Sequence, residues 1–186
     1  KTKSSEPETY QFTDLKTVPV TSVKDQSRSG TCWCFSGMAL IESDALRKTG
    51  DTLDLSEMWI VRHAYYDKAL RYARMHGKTN LDAGGISYDV PYLMAQYGIV
   101  PDSIYSGLNY GTKNHVHGEV NAVIQAYMNA IISAPNKTLS TAWKEGLNGI
   151  LDILVRCLRP LPSMVRIIPR RVGWRLVRLI LRSMCS

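Results

Sequence analysis

Residues 32–48 constrain this chain more than any other stretch. As a helix, CWCFSGMALIESDALRK is apolar almost all round in its first ten residues, at Trp33, Phe35, Met38, Leu40 and Ile41. Such a helix has no polar face to give to water and belongs inside the protein. Ser29 or Thr31 is placed to cap its start, Arg47 and Lys48 fall in its last turn, and Gly50 stops it. Other elements must supply its cover.

The pattern along the chain offers several. Asp54 and Glu57 have capping-box spacing for a second helix, whose apolar positions Met58, Trp59, Val61, Tyr65 and Leu70 run on towards Gly77. The stretch LDAGGISYDVPYLMAQYGIVP gives a Gly-Gly loop at Gly84 and Gly85, a short helix, and a stop at Gly98 with Pro101 beyond it. Residues 117–132 form a further helix, and TLSTAWKEGLNGILDIL a last one. Only the opening segment, residues 1–23, looks extended, with TVPVTSV strand-like in its β-branched content.

Charge divides the chain more sharply than secondary structure does. The net charge of +7 on 186 residues suggests a nucleic-acid binder, but every Asp and Glu lies at or before Asp152. Up to that point fifteen basic side chains nearly balance sixteen acidic ones, while residues 153–186 hold eight arginines and no acid. The basic balance describes a tail, so it argues no nucleic-acid partner for the body. The organisation expected is an extended segment 1–23, a helical unit 24–152 and an Arg-rich tail 153–186. No run of apolar residues is long enough for a transmembrane helix. Four cysteines, Cys32, Cys34, Cys157 and Cys185, make no disulfide framework and leave the redox compartment open. A start at Lys1 fits either removal of a leader or a fragment.

Cys32 has three readings on residue type alone. A cysteine beside tryptophan on an apolar helix is most often core, and Cys34 keeps that reading. A metal site needs a second ligand pair, which Cys32 and Cys34 lack; His115 and His117 likewise have no partner set, so no metal or other cofactor is expected. The third reading is a nucleophile. At a helix N-terminus the unsatisfied N–H groups and the helix dipole favour the thiolate. Small neighbours Ser29, Gly30 and Thr31 let a substrate backbone come close, and Gln26 is near enough in sequence to offer an amide donor to a developing oxyanion.

The stretch QSRSGTCWCFS, from Gln26 onwards, resembles the active-site signature of the papain-like cysteine peptidases. DLSEMWIVR and AGGISYDVPYLMAQYGIVP follow in the family's order. SGTCW and NYGTKNHVHGEV resemble most the bleomycin hydrolase or aminopeptidase C branch, and the likeness covers about residues 10–152. It implies an α+β papain-like fold, of which this chain carries mainly the N-terminal helical half and lacks the β-rich half. It further implies Cys32 as nucleophile, Gln26 as oxyanion-hole donor, and Gly84 and Gly85 binding the backbone of a peptide substrate. Trp33 packs. The branch is chiefly aminopeptidase-like, cytoplasmic and often hexameric; with the family's C-terminal end missing, neither the exopeptidase preference nor the homo-oligomer is carried over, and an exported or periplasmic protein stays open.

The mechanism also needs a histidine to take the thiol proton and an asparagine to orient it. The histidines here are His63, His76, His115 and His117. The first two are surface or packing residues, and the others lie in a segment that resembles a non-catalytic family motif. The resemblance therefore implies that the general base and its orienting residue are absent, leaving the chain poorly active or inactive.

The tail has two readings. Arg171, Arg175, Arg178 and Arg182 share one face of a helix, which as a genuine peptide would bind anionic membranes and make this a non-enzymatic protein. Alternatively the frame shifts after Asp152: the neighbouring frame, over residues 152–172, allows a sequence resembling the bleomycin hydrolase branch just after its GILD segment.

Overall fold

A computed structural model describes residues 10, 12–13, 16–108, 111–135 and 138–154. Five helices make up the described structure: α1 (Cys32–Thr49), α2 (Glu57–Arg74), α3 (Asp89–Tyr97), α4 (Gly118–Ile132) and α5 (Ala142–Leu154). Helix α2 is the hub, packing against each of the other four, while α1 also meets α3 and α4 also meets α5.

Helix α1 starts and stops where the sequence places it. Gly50 closes it in the left-handed region at φ 79°, its N–H returning to the Leu46 carbonyl at 2.9 Å. The start is different. Thr31 is the N-cap, but neither its hydroxyl nor that of Ser29 caps the helix; the Thr31 carbonyl instead accepts from Cys34 N at 2.8 Å. Nor is the helix enclosed all round. Trp33, Cys34, Met38, Ile41 and Ala45 are buried, whereas Cys32, Ser36, Ala39 and Leu40 are exposed along one side.

Two further expectations are corrected. Helix α2 is capped by Ser56, whose hydroxyl accepts from Trp59 N at 3.0 Å and donates to the Tyr105 carbonyl at 2.5 Å. Asp54 stays outside the helix and pairs with Lys24 at 2.8 Å. The same helix ends at Arg74, because His76 and Gly77 take positive φ and turn the chain before Gly77 is reached. The segment TVPVTSV, over its described residues, forms no strand; the only β pairing among the described residues is two isolated bridges, Arg28 with Val116 and Leu55 with Pro101.

Between α1 and α2 the core closes over a charged cluster centred on Lys24. Lys24 Nζ reaches Glu57 Oε1 at 2.9 Å, Glu42 Oε1 at 3.3 Å and the Leu55 carbonyl at 3.1 Å. Glu42 and Glu57 are both buried, and Glu42 also accepts from Leu55 N at 2.7 Å. Burial works to lower the Lys24 pKa, but the bonds to Asp54 and Glu57 and the charges of Glu57 and Glu42 outweigh it and raise it. For Glu57 burial prevails and raises the carboxyl despite Lys24.

Helix α5 packs on α2 and α4, and Arg62 ties it down through Asp152 and Asn148, each at 2.9 Å. The helix crosses the compositional break and ends two residues past Asp152. Cys157, Cys185 and the arginine face of the tail lie outside the described residues.

Candidate active site

Two cysteines belong to the described structure, and they differ completely. Cys32 is the first residue of α1 and is exposed. Cys34, two residues on, is fully buried and points its sulfur at the Glu57 carbonyl, 3.4 Å away. Burial, then the charge of Glu57, pushes the Cys34 thiol well above its usual range. A neutral thiol sealed in the core is a packing group, while a thiol on the open side at a helix start is accessible to chemistry.

Trp33 links Cys32 to the Gly-Gly loop. Its indole is buried and Nε1 donates to the Ala83 carbonyl at 2.9 Å. A Cβ on Gly85 would fall 2.8 Å from two indole ring carbons and 3.1 Å from Asp89 Oδ2, so only glycine lets this backbone rest on the ring. Gly84 has open space around it. Its carbonyl, however, accepts from Lys68 Nζ, which also donates to the Asp82 carbonyl at 2.7 Å. Of the two glycines expected to face substrate, Gly85 is the one whose N–H and C=O both meet no partner among the described residues.

The loop before Cys32 reaches the same place from the other side. Ser27 sits at φ 50° and its N–H donates to Asp25 Oδ1 at 2.7 Å, turning the chain at Gln26. Gly30, at φ 70°, approaches Ala83 closely enough that a Cβ would stand 3.1 Å from the Ala83 Cβ. Arg28 anchors the turn from behind: its N–H donates to the His115 carbonyl at 2.9 Å and its carbonyl accepts from His117 N at 3.3 Å. The residues on either side of Cys32 and the approach to Gly84–Gly85 thus converge. The side-chain oxygen of Gln26 is buried without a hydrogen-bond partner, as are Nδ1 of His115 and both ring nitrogens of His117.

No histidine among the described residues is hydrogen-bonded to the Cys32 sulfur. His63 is buried against Trp59, whose carbonyl lies 2.7 Å from its Nδ1. His76 is exposed at the end of α2. His115 stacks edge-on against Phe35 at 6.1 Å and stands 6.3 Å from the ring of His117. Among the described residues no three metal-ligating side chains come together, and no helix is long and apolar enough to cross a membrane.

Along the exposed side of α1, past Cys32, lies a cavity of about 390 Å³ between that helix and residues 20–24. Val23, Phe35, Ser36 and Ala39 are among its lining, and Val20 and Val23 are largely exposed.

Sequence reasoning missed Lys68 and the backbone clasp of His115 and His117 on Arg28. Neither has a local signal, since Lys68 lies 14 and 16 residues from the carbonyls it holds.

Comparison with known proteins gives a family. The family described as papain family cysteine protease matches residues 6–140. A cathepsin L-like peptidase of Aedes aegypti is 34% identical over 86 residues, covering 46% of this chain and 23% of its own. Cathepsin L1 of Drosophila melanogaster is 33% identical over 104 residues, 50% of this chain and 25% of its own. Ananain of Ananas comosus is 30% identical over 102 residues, 55% and 26% respectively. The chain spans about a quarter of the length of these relatives.

Proposed function

The chain belongs to the papain family of cysteine proteases, and on that premise we propose that Cys32 is the nucleophile of a peptide-bond hydrolase. The observation that carries this is the position of Cys32: exposed, at the first residue of α1, next to Trp33, which is bonded to the loop where Gly85 keeps its backbone groups open. In the reaction the Cys32 thiolate attacks the scissile carbonyl carbon, and the π pair moves onto oxygen. The Cys32 N–H and the Gln26 side-chain amide donate to that oxyanion. Collapse expels the amine, which takes a proton from an imidazolium, and leaves a thioester. Water, deprotonated by the same imidazole, then releases the acid and restores the thiol.

The imidazole and its orienting asparagine would come from a β-rich half outside this chain. The exposed side of α1, with Leu40, Phe35 and the cavity against Val20 and Val23, is an apolar surface suited to that half. As it stands the chain would be poorly active. SGTCW and NYGTKNHVHGEV support the finer assignment to the bleomycin hydrolase or aminopeptidase C branch, with an aminoacyl-peptide substrate. The relatives above are of cathepsin L and plant cysteine proteinase kinds, so the peptidase reading does not rest on the branch.

The gene tests this directly. Read in the neighbouring frame beyond Asp152, it should encode a histidine and an asparagine on predicted β-strands. The product joined in that frame should hydrolyse an aminoacyl amide and lose this with Cys32→Ala. A stop codon soon after in that frame refutes the frameshift, and activity that survives Cys32→Ala overturns the peptidase reading.

A further inference from the structure

Three consecutive carbonyls of the loop before Gly85 are held by two side chains. Lys68 Nζ, from α2, donates to the carbonyls of Asp82 and Gly84. Trp33 Nε1, from α1, donates to that of Ala83 between them. On the far side of Gly85, Ile86 N–H donates to Asp89 Oδ2 at 3.1 Å. Gly85 lies between these anchors with its own N–H and C=O unpaired among the described residues.

The planarity of the peptide bond turns those anchors into a direction. In a trans peptide the C=O of one residue and the N–H of the next point opposite ways in one plane. Gripping the Gly84 carbonyl therefore aims the Gly85 N–H away from Lys68, and gripping the Ile86 N–H aims the Gly85 C=O away from Asp89. A backbone unit fixed on both flanks, with its donor and acceptor turned outward, is suited to pair with another extended backbone.

We propose that Lys68 is a positioning residue that fixes the 84–85 peptide plane so that Gly85 can bind the backbone of a peptide substrate. The inference rests on the reading of Cys32 as nucleophile beside that loop. An ammonium suits the task because it has several donors for two carbonyls. Lys68 is half-buried, and the charges of Asp82 and Asp89 help hold its proton there against the effect of burial, which lowers its pKa. A glycine loop without such a clamp would sample both orientations of the 84–85 plane.

The test compares two alkylations of Cys32 in the full chain, each followed by peptide-resolved mass spectrometry. One reagent is iodoacetamide, which needs no backbone recognition; the other is a peptidyl epoxide, which does. In the unmutated chain the ratio of the two rates should exceed that for a Cys34-free, unstructured peptide carrying the Cys32 sequence. Lys68→Met should lower the ratio about tenfold, the loss of one to two hydrogen bonds, with the iodoacetamide rate unchanged. Lys68→Arg should restore most of it. A high ratio left intact by Lys68→Met overturns the role of Lys68 alone. A ratio no higher than that of the free peptide overturns this inference, while the peptidase reading is decided separately by Cys32→Ala in the product joined in the neighbouring frame. Should Lys68→Met not fold, ¹⁵N relaxation of the unmutated chain decides: Gly84 and Gly85 as rigid as α2 is the expected result, and disorder on the nanosecond scale refutes the clamp.

Discussion

The indole Nε1 of Trp33 donates to the carbonyl of Ala83 at 2.9 Å, across fifty residues of sequence. This bond fastens the residue after Cys32 to the loop that leads into Gly84 and Gly85. Trp33→Phe keeps a ring in the core but leaves the buried Ala83 carbonyl without its donor. The expected loss of stability is about 1–3 kcal/mol, measured by urea unfolding. A change within experimental error would mean the bond contributes nothing to holding the two segments together.

Gly84 and Gly85 should respond unequally to the same methyl group. Gly85→Ala places a Cβ 2.8 Å from the Trp33 ring, so either the loop or the indole must move. Overpacking of this kind costs about 1–3 kcal/mol. Gly84→Ala meets nothing within 4 Å and should stay within about 0.5 kcal/mol of the parent. Equal effects in thermal unfolding of the two variants would contradict the packing described.

Lys24 is bonded to two buried carboxylates, Glu42 and Glu57. Lys24→Met leaves Glu42 and Glu57 buried together without their cation. Breaking a buried pair from one side costs about 3–5 kcal/mol, so the variant should unfold at markedly lower urea. Adding Glu57→Gln should recover part of that loss, because one of the uncompensated charges is gone. No recovery in the double variant would show that the lysine acts through its aliphatic stem.

Acid should weaken the fold through three histidines that burial keeps neutral, His63, His115 and His117. Burial, and then the charge of His115, holds the His117 pKa down to about 4. Burial likewise brings His63 to about 4, against the opposing bond to the Trp59 carbonyl. The unfolded reference is about 6.5, so between the two values the unfolded chain binds protons that the folded chain refuses. Stability is therefore full above about pH 7 and falls towards pH 4, by about 3 kcal/mol for each of His63 and His117. Glu57, whose carboxyl is raised by burial, works in the opposite sense over part of that range. His117→Phe should visibly reduce the slope of the urea midpoint against pH, leaving the shares of His63 and His115. An unchanged slope would place the titration elsewhere.

Much of the fold was legible because it rests on local rules. Gly50 and Gly98 stop α1 and α3 as expected, and the starts of α1 and α4 fall within a residue of their predicted positions. Local rules failed where tertiary contacts competed. Asp54 has capping-box spacing but is drawn to Lys24, which leaves Ser56 to cap α2. TVPVTSV has strand composition, yet no described strand lies beside it to pair with. At the site, Cys32 and the Gly-Gly loop were visible as motifs, and the exposure of Cys32 against the burial of Cys34 follows from their separation on α1. The Lys68 clamp was not visible, because a lysine near the middle of a helix has no sequence mark that separates a clamp from a solvated side chain. Glu42 did carry a signal: an acid between Ile41 and Ala45, both buried, had to find a partner.

Cys32, and no other cysteine, is the proposed nucleophile. The most direct measurement maps where a peptidyl epoxide attaches when the full chain, with Cys34, Cys157 and Cys185 intact, is treated at low reagent concentration. The account predicts modification at Cys32, saturable in reagent and suppressed by a competing peptide aldehyde, with Cys34 untouched. Modification spread over Cys157 and Cys185 at rates equal to that of Cys32, or modification of Cys32 that no peptide competitor slows, would contradict it.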